Sequence, residues 1–134
     1  MGGPARLKLL LDTHIWLWSA LEPARLGRRV ALELIDSKNE LWLSPISTWE
    51  ALALHRRKRL RLDDDPCTWL TEAMKNFREA SLTHEIAMTA HRLTMHADPA
   101  DRFIVATAKV FGLTLVTADK NLLGLGDIAT LANR

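Results

Sequence analysis

Leu113-Thr114-Leu115-Val116-Thr117-Ala118-Asp119 is the stretch on which the reading of this chain turns. Leu113 to Thr117 is a short apolar and β-branched run, the clearest strand signal in the sequence. Before it, Ala100 to Phe111 carries apolar residues at helical spacing, and Gly112 stands where a helix of that length needs a C-cap. An acid, Asp119, follows two residues past the strand's end.

The same alternation recurs outward from this point. Leu7 to Leu11 reads as a strand closed by Asp12, and His14 to Leu21 as a short helix stopped near Glu22-Pro23. Gly27 precedes a helical stretch from Arg28 to Ser37, and Glu40 to Leu43 reads as a second strand. Ser44-Pro45 then opens a helix as N-cap and first-turn residue, with Ile46, Trp49, Leu52 and Ala53 expected on its inner face. A helix from about Cys67 to Arg78, a weak strand at Ala80 to Thr83 and a helix from Ile86 to Met95 complete the middle of the chain. Leu125 to Arg134 carries no firm signal, an added edge strand being one reading. Short strands alternating with helices predict an α/β fold, a mostly parallel central sheet flanked by helices.

Composition bounds the rest. A chain of 134 residues with 48% hydrophobic and 25% charged residues builds one globular domain, taken as residues 1–134, with a real core. No apolar run approaches the ~20 residues of a membrane span. Met1 to Arg6 lacks the apolar stretch of a secretory signal, and one cysteine, Cys67, allows neither an internal disulfide nor a cysteine-rich zinc site. The expectation is a cytoplasmic protein. The formal net charge of +2 hides a cluster, because His55-Arg56-Arg57-Lys58-Arg59-Leu60-Arg61 holds five of the eighteen Lys and Arg residues. That segment reads either as a solvated helix end or as a patch that contacts phosphates, and Asp63-Asp64-Asp65 follows it at once.

In a parallel sheet, ligands gather beyond the carboxyl ends of the strands. Asp12 and Asp119 sit there by construction, Glu50 lies on the first turns of the helix after the second strand, and Asp98 and Asp101 start the Ala100 to Phe111 helix. Carboxylates converging from such distant places repel one another unless a cation neutralises them, and oxygen-only ligation suits Mg²⁺ or Mn²⁺. Each acid also has a structural reading. Asp12 can cap the first helix, Ser47-Thr48-Trp49-Glu50 matches a capping box, Asp98 and Asp101 can serve as N-cap and N3, and Asp119 can cap a turn through Lys120 to Leu123.

Four segments in register carry a resemblance: Leu11-Asp12-Thr13-His14 with Trp16-Leu17-Trp18, Ser44-Pro45-Ile46-Ser47-Thr48-Trp49-Glu50, Asp98-Pro99-Ala100-Asp101-Arg102-Phe103-Ile104-Val105-Ala106, and Leu115-Val116-Thr117-Ala118-Asp119. From about Leu9 to Leu123 the chain resembles a PIN domain, and in particular the PIN ribonuclease toxins of VapBC-type toxin–antitoxin modules. The resemblance implies a Mg²⁺-dependent endoribonuclease, with Mn²⁺ as a possible substitute. It makes Asp12, Glu50, Asp101 and Asp119 the catalytic and metal-binding acids, with Asp98, Thr13 and Thr117 auxiliary. It also implies an RNA substrate, a cognate antitoxin and a homodimer. Arg56, Arg57, Lys58, Arg59 and Arg61 would then guide the RNA backbone toward the acids. Arg102 is expected to pair with an acid or to structure its helix start.

Other features point elsewhere than chemistry. The histidines His14, His55, His84, His91 and His96 show no zinc-type spacing. Trp49 and Trp69 fall on apolar helical stripes, which predicts core packing rather than base stacking. Trp16 and Trp18 are two apart and cannot share a face, leaving one of them a candidate for a dimer or partner surface. A receiver-like signalling domain would want an adjacent acidic pair after the first strand, where Asp12 stands alone. A haloacid-dehalogenase-type phosphatase would want Asp-x-Asp, where Asp12-Thr13-His14 stands. The rival reading is a non-catalytic RNA- or partner-binding module on the same fold, with an idle acidic pocket.

Overall fold

The strands ending at Leu11, Leu43 and Thr117 are each followed, within two residues, by a helix-capping side chain (Asp12, Ser44 and Asp119) at the same edge of one sheet. The computed structural model describes residues 6–62, 65–95 and 98–134; the leading pentapeptide, Asp63, Asp64, His96 and Ala97 lie outside the described residues. In chain order the elements are β1 (Lys8–Leu11), α1 (Thr13–Leu21), a 3-10 turn (Pro23–Arg25), α2 (Arg28–Ile35), β2 (Glu40–Leu43), α3 (Pro45–Arg56), α4 (Pro66–Ala73), β3 (Arg78–Glu79), α5 (His84–Arg92), α6 (Pro99–Phe111), β4 (Thr114–Thr117), α7 (Lys120–Leu123) and β5 (Thr130–Ala132). The five strands lie in the order β3-β2-β1-β4-β5, and every neighbouring pair is parallel.

Period-two alternation along the strands divides the core between the two faces. Leu9 and Leu11 of β1 and Val116 of β4 face one layer, with Ile15, Trp16, Val30, Ala51 and Leu70 from α1 to α4. Leu10 and Leu115 face the other, with Ile104, Val105, Ala108 and Leu122 from α6 and α7. Ile86 and Ala90 of α5 pack on Ala106 of α6. The chain runs outward from β1 to β2 and β3, then returns to lay β4 on the other side of β1. The order therefore reverses between β1 and β4, and a crevice opens beyond their carboxyl ends.

The α/β architecture with a parallel sheet is as the sequence predicts, and several details differ. The α4 helix stops at Ala73 instead of reaching Arg78, although Trp69, Leu70, Met74 and Phe77 do pack on the core. The third strand is Arg78–Glu79, exposed at the sheet edge and paired with Trp42 and Leu43, and its continuation Ala80 donates its N–H to the Leu43 carbonyl at 2.9 Å. Thr83, expected in that strand, instead caps α5. The C-terminal stretch does add an edge strand, β5. Beyond it Asn133 closes on the turn before α2, accepting from Gly27 N–H at 2.6 Å and donating to the Arg25 carbonyl at 3.1 Å. Gly27 has no substitute there, since a Cβ would lie 1.9 Å from the Arg134 carbonyl oxygen.

Of the inner face expected for α3, Ile46 and Leu52 do pack on the core, but Trp49 does not. Ser47 and Ala51 are buried, whereas Trp49 is 64% exposed. Small residues on the buried face let α3 approach both α1 and α6 closely, and the indole is turned outward. Trp16 is buried with its indole N–H donated to the Ala73 carbonyl. Trp18 is half-buried, with Arg25 above its ring at 4.2 Å. None of the described helices is long and apolar enough to cross a membrane.

Candidate active site

Beyond the carboxyl ends of β1 and β4 lies a cavity of about 440 Å³, lined by Asp12, Glu50, Asp98, Asp101 and Asp119. The structure thus brings together every acid that the sequence singles out.

Asp12 leaves β1 with its N–H donated to the Val116 carbonyl of β4 at 3.0 Å. Its carboxylate accepts from Thr117 Oγ1 at 2.7 Å and from Thr13 N–H at 2.8 Å. Thr117 Oγ1 in turn accepts the Asp119 N–H at 3.0 Å, so one hydroxyl holds both acids across the junction of two strands. Asp119 Oδ1 accepts the Asn121 N–H and starts α7, as a cap should.

Glu50 does not form the capping box that its spacing allows. The α3 helix begins three residues earlier, where Ser44 Oγ accepts the Ile46 N–H and Pro45 fills the first turn. Ser47 and Glu50 are left to face inward, and Thr13 meets both, with its Oγ1 2.9 Å from Ser47 Oγ and 2.5 Å from Glu50 Oε1. Ser47 is fully buried; the sequence reads it as the N-cap of a capping box, and its place beside Thr13 and Glu50 carries no local signal.

Asp98 is the N-cap of α6, accepting the Asp101 N–H at 3.0 Å, with Pro99 at the first turn. The positive end of the helix dipole favours both acids there. Arg102, next along the helix, pairs with backbone and not with an acid. Its guanidinium donates to the carbonyls of Met95 (2.8 Å), Ala90 (2.7 Å), Leu93 (3.0 Å) and His91 (3.2 Å). It thereby ties the end of α5 to the start of α6 and fixes where Asp98 and Asp101 point.

The electrostatic consequence is frustration. Burial pushes the Asp12 carboxyl up, against the lowering effect of its Thr117 and Thr13 hydrogen bonds. Glu50 is pushed up by burial as well, with Asp12 and Asp98 adding repulsion. Asp101 rises to about 7, first through burial and then through Asp98, Asp12, Glu50 and Asp119. The donors are hard carboxylate and hydroxyl oxygens, the set that suits a Mg²⁺- or Mn²⁺-type cation. Among the described residues no three His, Cys, Asp or Glu side chains already surround one point. Asp12, Glu50, Asp98 and Asp119 are instead turned toward hydroxyl and backbone partners.

Of the basic segment, Arg57 alone lines the cavity; Arg56, Lys58, Arg59 and Arg61 are exposed and outside its lining. Arg57 follows Glu50 by two helical turns and caps α3 through its N–H to the Ala53 carbonyl. Lys58 adopts a left-handed backbone (φ 60°) as the helix unwinds. The segment is thus a helix end that delivers one guanidinium to the acids. His14, Trp18 and Trp49 also line the cavity, and His14 stacks on Trp18 with centroids 5.9 Å apart.

Comparison with known proteins agrees with this geometry. The sequence matches the PIN domain family over residues 9–127. It is 36% identical over 116 residues to Ribonuclease VapC22 of Mycobacterium tuberculosis (strain ATCC 25618 / H37Rv), covering 85% of this chain and 88% of that protein. The fold matches VapBC2 from Rickettsia felis bound to a promoter DNA fragment, with TM-score 0.73 at 15% identity, covering 96% of this chain and all of the other. DNA-bound VapBC from Salmonella typhimurium matches with TM-score 0.71 at 14% identity, covering 94% and 98%. With β1 and β4 delivering acids to one crevice, and with sequence likeness over most of its length, this chain belongs to the PIN domain family.

Proposed function

We propose that this protein is a Mg²⁺-dependent endoribonuclease, the toxin of a VapC-type toxin–antitoxin pair, working in the cytoplasm. The observation that carries the reading is the convergence of Asp12, Glu50, Asp101 and Asp119, from four separate parts of the chain, on one cavity beside Arg57. The likeness to Ribonuclease VapC22 supports RNA as the substrate.

Asp12, Glu50, Asp101 and Asp119 would hold the cation, with Mn²⁺ as a substitute. Bound there, the ion would supply an activated water and neutralise charge on the scissile phosphodiester. The chain's own residues do the rest. Thr13 and Thr117 hold Glu50 and Asp12 in place by donating to one oxygen of each carboxylate. Arg57 meets the incoming backbone phosphate at the cavity's edge, and the more distant Arg56, Lys58, Arg59 and Arg61 add attraction of longer range. Asp98 orders the start of α6 beneath Asp101.

A cognate antitoxin is the natural partner, in keeping with the VapBC assemblies that share this fold. The exposed Leu32 and Ile35 on α2 suit a homodimer contact.

The test is cleavage of total RNA and of tRNA by the wild type and by Asp12→Asn, with Mg²⁺ or Mn²⁺ against EDTA. Discrete metal-dependent cuts, lost in the variant, are the expected result. Binding of RNA in EDTA without any cutting would instead mark a binding module with an idle pocket.

A further inference from the structure

The five tryptophans divide by what their rings do. Trp16 is buried and donates its indole N–H to the Ala73 carbonyl; Trp42 donates to Glu40 Oε1 and lies beside Phe111. Trp69 packs on the core. Trp18 is fixed between Arg25 and His14. Trp49 is the exception, 64% exposed on a helix whose buried face is made of small residues. An indole left in water loses the burial that makes tryptophan worth its bulk.

Its position is not neutral. Trp49 directly precedes Glu50 on α3 and lines the same cavity as Asp12, Asp101 and Asp119, standing between it and a smaller hollow beside Leu52 and Met74. Arg57, two turns after Glu50, lines that cavity too, and so does the His14–Trp18 stack of α1, held by the Arg25 guanidinium. One wall of the acidic cavity therefore offers an aromatic face, a cation and a second aromatic layer within one helix pair. This combination suits a nucleotide, whose base has a π-face and whose phosphate takes the guanidinium.

We infer that Trp49 is a substrate-positioning residue, a platform on which a base next to the scissile phosphate stacks. This inference rests on the ribonuclease reading above. Stacking on an exposed indole requires a base free of its helix, so the substrate is unpaired RNA, a loop or a single strand, and not a duplex. Trp49 does not touch the reacting atoms; it sets which phosphate reaches the acids, acting on KM more than on kcat.

The experiment uses a single-stranded oligoribonucleotide spanning one mapped cut, together with copies carrying one abasic residue at each position flanking that cut. With the wild type, one abasic position raises KM by roughly 5- to 150-fold, the range of one lost base–aromatic stack. Trp49→Ala raises KM for the intact RNA by a similar factor, keeps its kcat and Tm, and no longer distinguishes that abasic copy. Trp49→Phe, which retains a π-face, recovers most of the loss. A wild type that cuts while Trp49→Ala shows unchanged KM and the wild-type abasic pattern overturns the inference alone, leaving the indole to a protein partner. A wild type that cuts no RNA overturns the ribonuclease reading and this inference with it.

Discussion

Thr13 Oγ1 lies 2.5 Å from Glu50 Oε1 although the chain separates the two residues by 37 positions. The threonine has one proton to give, and with Ser47 Oγ 2.9 Å away its hydroxyl can donate to the carboxylate while accepting from the serine. Thr13 is buried, so this contact sets the rotamer of Glu50 without competition from water. Thr13→Val keeps the shape and removes the hydroxyl, and is expected to lower kcat by about 10- to 100-fold, as losing a ligand-orienting partner does. Thr13→Ser should retain most activity. Single-turnover cleavage at fixed Mg²⁺ reads the difference; equal rates for the valine and serine variants would remove the hydroxyl from the argument.

The acid cluster makes stability depend on pH. Asp101, raised to about 7, keeps its proton in the folded protein at pH values where the unfolded chain, near 3.8, has released it. The folded state then binds more protons across that window, so stability falls as pH rises from about 4 toward 7 and stays low above it. Asp12 and Glu50 are shifted in the same direction and add to the slope. In EDTA, Tm is expected to drop by roughly 3–8 °C between about pH 5 and pH 8. Asp101→Asn should flatten that slope, and Mg²⁺ should restore Tm at the upper end. A metal-free Tm that rises with pH would contradict the cluster's arrangement.

Arg102 predicts a structural loss with a functional echo. Its guanidinium serves four carbonyls around the end of α5. Arg102→Ala leaves those acceptors without their charged donor and is expected to cost about 2–3 kcal/mol in urea unfolding. Arg102→Lys should rescue little, because an ammonium lacks the planar fork that reaches several acceptors at once. Stability within measurement error of wild type in both variants would mean that water replaces the contacts.

Arg57 and Arg56 are neighbours in sequence and differ in where they stand relative to the cavity. Only Arg57 lines the cavity. Arg57→Ala should raise KM for RNA and reduce the salt dependence of binding by about one phosphate contact, uniformly across sequences. Arg56→Ala should change both by less. Titrations of RNA binding at several salt concentrations decide this, and an Arg56 effect equal to that of Arg57 would make the whole segment a diffuse patch.

Much of this molecule is legible along the chain because its signals are local. Ser44-Pro45 starts a helix by satisfying the backbone of its own first turn, and Gly112 ends one with a left-handed residue (φ 65°) that few other residues adopt. Asp12 and Asp119 follow apolar strands by one and two residues, so a parallel sheet puts them at one edge whatever the rest of the chain does. The two-residue β3 is hidden for the opposite reason. Arg78 and Glu79 are exposed and polar, and the partner strand, not their own preference, makes them extended.

The sequence by itself thus determined the α/β alternation, the parallel sheet and the set of acids that meet at its carboxyl edge, since each depends on neighbours within a few residues. Tertiary packing alone decided which face of α3 turns inward, because helical period places Trp49 on a stripe without saying what that stripe will meet. It joined Ser47 and Glu50 to Thr13, drew Arg102 onto four carbonyls, and chose Arg57 from five basic neighbours. These are contacts between separate elements, and their energy exists only once folding has packed those elements together.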